Sequence, residues 1–217
     1  QGLKIPETLI VGSSEDVRRA RASIAYPCIL KPAMPMSSFK VLRLPDEGSL
    51  VKAIESHGDI SKFLVQSWIG GGDRNLYFVA YYFGRGGSLL ASFAGQKIRQ
   101  YPRGLGNTSA ARGVDRPDLV REGLKLFESL RYEGIASVEF KLDRSGVPCF
   151  IEATVGRTDY WYQTLPENGV DLLYAVYRDL ALGEAVKAGA QRNRKYWVDA
   201  DRDWRVYLES FSDSSAS

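Results

Sequence analysis

Ser137-Val138-Glu139-Phe140-Lys141-Leu142-Asp143-Arg144-Ser145-Gly146-Val147-Pro148-Cys149-Phe150-Ile151-Glu152-Ala153-Thr154 is the stretch that decides the fold. Two runs with the alternation of a strand flank a segment, Asp143 to Pro148, whose residues are those of a turn. A two- or four-residue loop centred on Ser145-Gly146 gives a single register, in which paired residue numbers have a constant sum, and sets Glu139 opposite Glu152. One face then carries Val138, Phe140, Leu142, Cys149, Ile151 and Ala153 as core, and the other carries Glu139, Lys141, Glu152 and Thr154. Directly opposed like charges destabilise a sheet, so the two carboxylates call for a cation between them or a shared proton. With the Thr154 hydroxyl nearby, the set suits Mg²⁺, a hard ion that keeps waters and phosphate oxygens. The plainer alternative is a polar face neutralised by Lys141 and solvent.

Upstream of the hairpin, strands are expected around Leu76 to Phe83 and Leu89 to Phe93, joined by Gly84-Arg85-Gly86-Gly87 and continuing through Gln96-Lys97-Ile98-Arg99. A polar, Gly-rich loop is expected from Pro102 to Gly113. A helix follows, opened by Asp115 and Pro117 and carrying Leu119, Val120, Leu124, Phe127 and Leu130. Downstream lie a loop rich in aromatic residues, a helix from about Val170 to Leu182 stopped by Gly183, and a basic segment whose Trp197 and Trp204 are expected to cover the core. The Ser-rich end from Ser210 is expected to fray.

The first third of the chain forms a separate α/β unit. It predicts a strand at Thr8 to Val11, a helix started by Ser13 and Asp16, and a buried strand Cys28-Ile29-Leu30-Lys31-Pro32 paired with Phe39 to Leu44. A helix over Glu47 to Ser56 and a strand Phe63-Leu64-Val65-Gln66 complete it. The cluster Gly70-Gly71-Gly72 is the best candidate hinge, dividing the chain into 1–69 and 70–217.

Composition narrows the class. With 217 residues, 44% of them hydrophobic, and 29 basic against 26 acidic residues, the chain is globular, and nothing in its charge argues for nucleic acid. No apolar run reaches the roughly 20 residues that span a bilayer, so no membrane partner is expected and the expected compartment is the cytoplasm. Cys28 and Cys149 both lie in apolar runs and are expected as reduced core thiols, and the single His57 excludes a multi-histidine metal site.

In this order and spacing the segments resemble the ATP-grasp superfamily, in its carboxylate-amine ligase type, over nearly the whole chain. Ile5-Pro6-Glu7-Thr8 resembles the opening of its small nucleotide-binding subdomain, and Tyr26 to Pro32 is similar to its strand-borne lysine segment. Ser37-Ser38 falls at the small-residue loop over the phosphates. Phe63 to Ile69, with Asp73 beyond the glycines, resembles the adenine hinge and the ribose-contacting acid. Ser137 to Asp143 and Phe150-Ile151-Glu152 resemble the two metal-bearing strands.

The resemblance implies an α+β fold of two α/β lobes with antiparallel sheets and a nucleotide bound between them. It also implies that the chain is the ATP-binding portion of a longer enzyme, with a Rossmann-like domain ahead of it. The cofactors implied are ATP and one or two Mg²⁺ ions, with Mn²⁺ as a substitute. Small-molecule carboxylate and amine substrates would be its partners, and a homodimer is compatible with it. Lys31, Ser38, Gln66, Ser67, Trp68, Ile69, Asp73 and Lys97 are the residues it assigns to the nucleotide. Glu139, Glu152 and Thr154 are assigned to the metal, and Arg99 and Arg157 to catalysis. Lys97 and Arg99, two apart on one strand, are expected on one face.

The chemistry needs such residues, because a phosphoryl group is transferred mainly by positioning and by fixed cations at its oxygens. Ser67 and Ile69 would offer adenine a backbone donor and acceptor. Arg112, Arg157, Tyr160, Trp161 and Tyr162 are the candidates for holding the acceptor. Two departures from the family pattern stand out. Thr154 replaces an asparagine, with Arg157 displaced by about a residue, and Met34-Pro35-Met36 stands where glycines are usual. They keep two alternatives open: a nucleotide-binding module without turnover, and a kinase-like phosphotransferase acting on a hydroxyl.

Overall fold

The continuous apolar run Leu76-Tyr77-Phe78-Val79-Ala80-Tyr81-Tyr82-Phe83 leaves no polar face, and such a strand is stable only when both of its sides are covered. In the computed structural model, which describes residues 2–34, 39–57, 62–187 and 189–214, this strand lies inside a six-stranded antiparallel sheet. The chain divides into two compact units, one formed by Ile5–Gly70 and the other by Gly71 onward together with the residues before Ile5.

The first unit contains β1 (Thr8–Val11), α1 (Ser14–Ser23), β2 (Cys28–Pro32), β3 (Leu42–Leu44), α2 (Glu47–Ser56) and β4 (Phe63–Ser67). Its four strands run in the order β1-β4-β2-β3, each pair antiparallel. Ser13 caps α1 by accepting from the Asp16 amide, and Asp46 caps α2 by accepting from the Ser49 amide. Arg21 pairs with Glu47 between the two helices. Val11, Ala20, Leu30, Leu50, Phe63 and Val65 form the core beneath them. The strand expected from Phe39 begins only at Leu42.

The second unit contains β5 (Leu76–Phe83), β6 (Leu89–Tyr101), β7 (Asn107–Gly113), α3 (Pro117–Phe127), β8 (Gly134–Leu142), β9 (Pro148–Val155), α4 (Thr164–Glu167), α5 (Leu172–Leu182), β10 (Tyr196–Val198) and α6 (Ala200–Ser214). The sheet order is β10-β7-β6-β5-β8-β9. Alternation along β5 sends Val79, Tyr81 and Phe83 to the face covered by Leu119 and Phe127 of α3. Phe78, Ala80 and Tyr82 go to the other, under Trp161, Leu165 and Leu172. Gly123 lets α3 approach: a Cβ there would fall 2.2 Å from the Tyr81 hydroxyl, which donates to the Val120 carbonyl.

Several sequence expectations need correction here. The segment expected as a loop up to Gly113 holds β7, whose Thr108, Ser109, Ala110 and Ala111 are almost completely buried. Small side chains conceal a strand from a search for β-branched and aromatic runs, and its position between β6 and β10 supplies the pairing. Arg116 precedes α3 where Asp115 was expected to open it, and Leu130 lies beyond the helix and is exposed. Trp197 packs on the core, but Trp204 is exposed. The expected fray from Ser210 falls inside α6 as far as Ser214.

The decisive hairpin is irregular in two places. Asp143 and Val147 close a tight turn in which the Gly146 amide donates to the Asp143 carbonyl, and Gly146 takes a positive φ of 78°. This odd-length turn pairs Leu142 with Pro148 and Phe140 with Phe150, one residue away from the expected register. A bulge at Ile151 then restores the pairing, so Glu139 faces Glu152 and Ser137 faces Thr154. The core face predicted for this strand fails beyond the bulge, where Ala153 is exposed and Thr154 is buried.

Candidate active site

In the second unit, three neighbouring polar residues of β6 are each held by a carboxylate from a different element. Lys97 Nζ donates to Glu139 Oε2 of β8 at 2.6 Å, with only 7% and 16% of the two side chains exposed. Arg99 makes a two-pronged pair with Asp203 of α6, at 2.6 and 2.7 Å. Gln100 donates both its backbone amide and its side-chain amide to Asp73, at 2.9 and 3.1 Å. The expected metal carboxylate Glu139 and the expected ribose acid Asp73 are thus both tied to β6.

The pairing between β6 and β7 shifts between Lys97 and Arg99 and again before Gln100. That interrupts the alternation on which the shared face of Lys97 and Arg99 rests, and it accompanies their separate partners, one on β8 and one on α6.

Glu152 faces solvent opposite Glu139. Arg157 is largely exposed, and its Nη1 lies 3.7 Å from Asp159. Asp159 is the residue that sequence reasoning missed. It accepts from Ser137 Oγ at 2.7 Å and lies close enough to Glu139 and Lys97 to feel both charges. Burial, reinforced by the Glu139 charge, pushes its carboxyl above the ordinary range, against the pull of the Ser137 hydroxyl and of Arg157 and Lys97. Its signal in the sequence is position: it opens the aromatic run Tyr160-Trp161-Tyr162, in which the burial of Trp161 and Tyr162 draws this turn onto the sheet.

Of the acceptor candidates, Trp161 and Tyr162 belong to the core; Trp161 stacks on Phe78 with ring centres 3.7 Å apart. Tyr160 is exposed beneath the Arg202 guanidinium, and Arg112 donates to Gln96.

In the first unit, Lys31 Nζ donates to Gln66 Oε1 at 3.3 Å, and Gln66 Nε2 donates to Thr8 Oγ1. The Ser67 amide is committed to the Glu7 carbonyl and the Trp68 amide to the Pro27 carbonyl. Of the two backbone groups expected to serve adenine from Ser67 and Ile69, the Ser67 amide is therefore used within the unit. Arg43 covers one side of the Trp68 ring, 4.9 Å from its centre. Ser38, with Ser37 and the loop it belongs to, lies outside the described residues. Cys28 and Cys149 are buried free thiols, as expected, and burial pushes the Cys28 thiol up to about 11.

Among the described residues, no group of three or more His, Cys, Asp or Glu side chains is arranged to hold a metal ion. The donor set fits a smaller demand: two opposed carboxylates suit an Mg²⁺ ion whose remaining ligands are water and phosphate oxygens. No helix among the described residues is long and apolar enough to cross a membrane.

Solved structures with this architecture include an N5-carboxyaminoimidazole ribonucleotide synthetase in complex with ADP, which superposes with a TM-score of 0.71 at 14% identity, covering 90% of this chain and 51% of that one. A biotin carboxylase from Campylobacter jejuni, in complex with β,γ-ATP, gives 0.68 at 16% identity, covering 90% and 46%. The VanG D-Ala:D-Ser ligase from Enterococcus faecalis gives 0.55 at 15% identity, covering 70% and 48%. The chain shares the fold of these structures. This chain spans about half the length of these structures. No protein-family model matches its sequence, and neither does any curated protein.

Proposed function

We propose that the chain is the ATP-binding part of an ADP-forming ligase that activates a carboxylate as an acyl phosphate for attack by an amine. The observation that carries this reading is the pair Glu139 and Glu152 facing each other across β8 and β9, with the buried Lys97 bonded to the first. The ADP and β,γ-ATP bound in two of the compared structures support nucleotide binding by the same fold.

A carboxylate oxygen of the substrate attacks the γ-phosphorus, the bond from that phosphorus to the β,γ-bridging oxygen breaks, and ADP leaves. The amine nitrogen then attacks the acyl carbon, the carbon–oxygen bond to phosphate breaks, and the amine gives up a proton. Negative charge spreads over the transferred oxygens in the first step and onto phosphate in the second. Lys97, Arg99 and Arg157 supply fixed positive charge for both steps. Lys31 is the cation that the first unit offers to phosphate. Glu139 and Glu152, with Thr154 beside them, hold Mg²⁺, which neutralises phosphate charge when bound. Within the first unit, Gln66, Trp68 and the backbone of Ile69 are the groups proposed for adenine; within the second, Asp73 is the one proposed for ribose hydroxyls.

The test is an acyl-phosphate trap. Hydroxylamine in place of the amine converts the activated carboxylate to a hydroxamate in step with ADP release. ADP release without hydroxamate, for every carboxylate tried, points to phosphotransfer to a hydroxyl. A second reading, nucleotide binding without turnover, is favoured by the burial of Thr154, and binding with no ADP release would support it.

A further inference from the structure

We infer that Asp203, on α6, is a positioning residue for Arg99, and that α6 therefore forms part of the phosphate-binding machinery; this rests on the ligase reading, in which Arg99 meets the triphosphate. The carboxylate grips the guanidinium side-on, through Nε and Nη2. Such a grip fixes the plane of the fork and leaves Nη1 to donate elsewhere.

Burial is asymmetric in the direction this role requires: 43% of the Arg99 side chain is exposed, but only 20% of that of Asp203. The anion is the anchored partner and the cation is the one presented outward. The anchor is itself built. Ser109, fully buried on β7, donates its hydroxyl to Asp203 Oδ1 and accepts the Asp199 amide on its carbonyl. Both contacts fasten the start of α6 to the strand that pairs with β6. A guanidinium immobilised in this way loses less freedom when a phosphate arrives, so the anchor raises affinity for phosphate without touching it.

The experiment uses the full chain and titrates Mg·AMP-PNP and AMP in parallel, by calorimetry, into the wild type, Arg99→Ala, Asp203→Asn and the double variant. Asp203→Asn is expected to weaken Mg·AMP-PNP about tenfold, the equivalent of one charge-assisted contact. AMP affinity should be unchanged, and the substitution should cost nothing further once Arg99 is alanine. Asp203→Glu should recover part of the loss. Ser109→Ala, a milder change, should weaken Mg·AMP-PNP alone and replaces Asp203→Asn if that variant does not fold.

Parallel loss of AMP, additive losses in the double variant, or tighter Mg·AMP-PNP binding by Asp203→Asn would overturn the inference; the last would mean that Asp203 competes with phosphate. If the wild type binds Mg·AMP-PNP and Arg99→Ala binds it equally well, this inference falls and the ligase reading stands. A wild type that binds no nucleotide removes both.

Discussion

Glu139 stands directly opposite Glu152 across β8 and β9, yet only Glu139 is bonded to Lys97, and Glu152 faces solvent. An exposed carboxylate opposite a like charge contributes nothing to folding and slightly opposes it. Glu152→Ala should therefore leave the apo melting temperature unchanged or slightly raised. It should also abolish the stabilisation that Mg²⁺ with an ATP analogue gives the wild type, about 2.7 kcal/mol at a ligand concentration a hundred times Kd. A drop of several degrees in the apo variant would mark Glu152 as a structural residue.

Lys97 and Glu139 form a different kind of pair, because both are withdrawn from water. Lys97→Met leaves the Glu139 carboxylate without its cation, and the loss should be about 2 kcal/mol, the scale of a hydrogen bond to a charged group. Urea denaturation would show this as a lowered midpoint with an unchanged slope. Adding Glu139→Gln should restore most of the loss, because a neutral amide tolerates the site; additive losses would argue against a coupled pair.

Asp73 has two duties that one substitution can separate. Its carboxylate holds Gln100 by the backbone and the side chain, so Asp73→Ala should lower the melting temperature regardless of ligand. Its proposed ribose contact predicts that the wild type prefers ATP to the 2′,3′-dideoxy analogue and that the variant does not. Equal preference in both proteins, measured by competition binding, would leave Asp73 only its structural role.

The Asp159 carboxyl titrates above its ordinary range, chiefly because it is buried. The native chain then holds this proton to higher pH than the unfolded chain does. Stability from this group is complete below the unfolded value, falls as pH rises towards the raised native value, and is flat beyond it. Asp159→Asn, whose amide oxygen can still accept from Ser137, should remove that decline. The stability difference between variant and wild type should thus shift in the variant's favour from acid to neutral pH. A difference that does not change with pH, in urea midpoints measured across that interval, would contradict the assignment.

The opposition of the two glutamates is legible in the sequence, although two irregularities cancel to produce it. Residue alternation and a Ser-Gly turn are enough to align the strands, but the odd turn and the bulge at Ile151 depend on local backbone geometry that periodicity does not encode. Buried apolar elements such as β5 are visible because no other environment suits them, whereas β7 is built from small residues that carry no strand signal. Lys97 can be picked out from its strand, but its bond to Glu139 comes from a pairing 42 positions away. Asp159 and Asp203 were illegible for the same reason: each reaches the site through a turn or helix whose placement is fixed by core packing, not by any local motif.

The central claim is that Glu139 and Glu152 together bind a magnesium–nucleotide complex. It is tested most directly by calorimetric titration of Mg·AMP-PNP into the wild type, Glu139→Gln and Glu152→Gln, with and without Mg²⁺. Saturable binding of one nucleotide per chain that requires Mg²⁺, and that weakens at least tenfold in each variant, is the predicted result. Binding that is indifferent to Mg²⁺ and to both substitutions would contradict it.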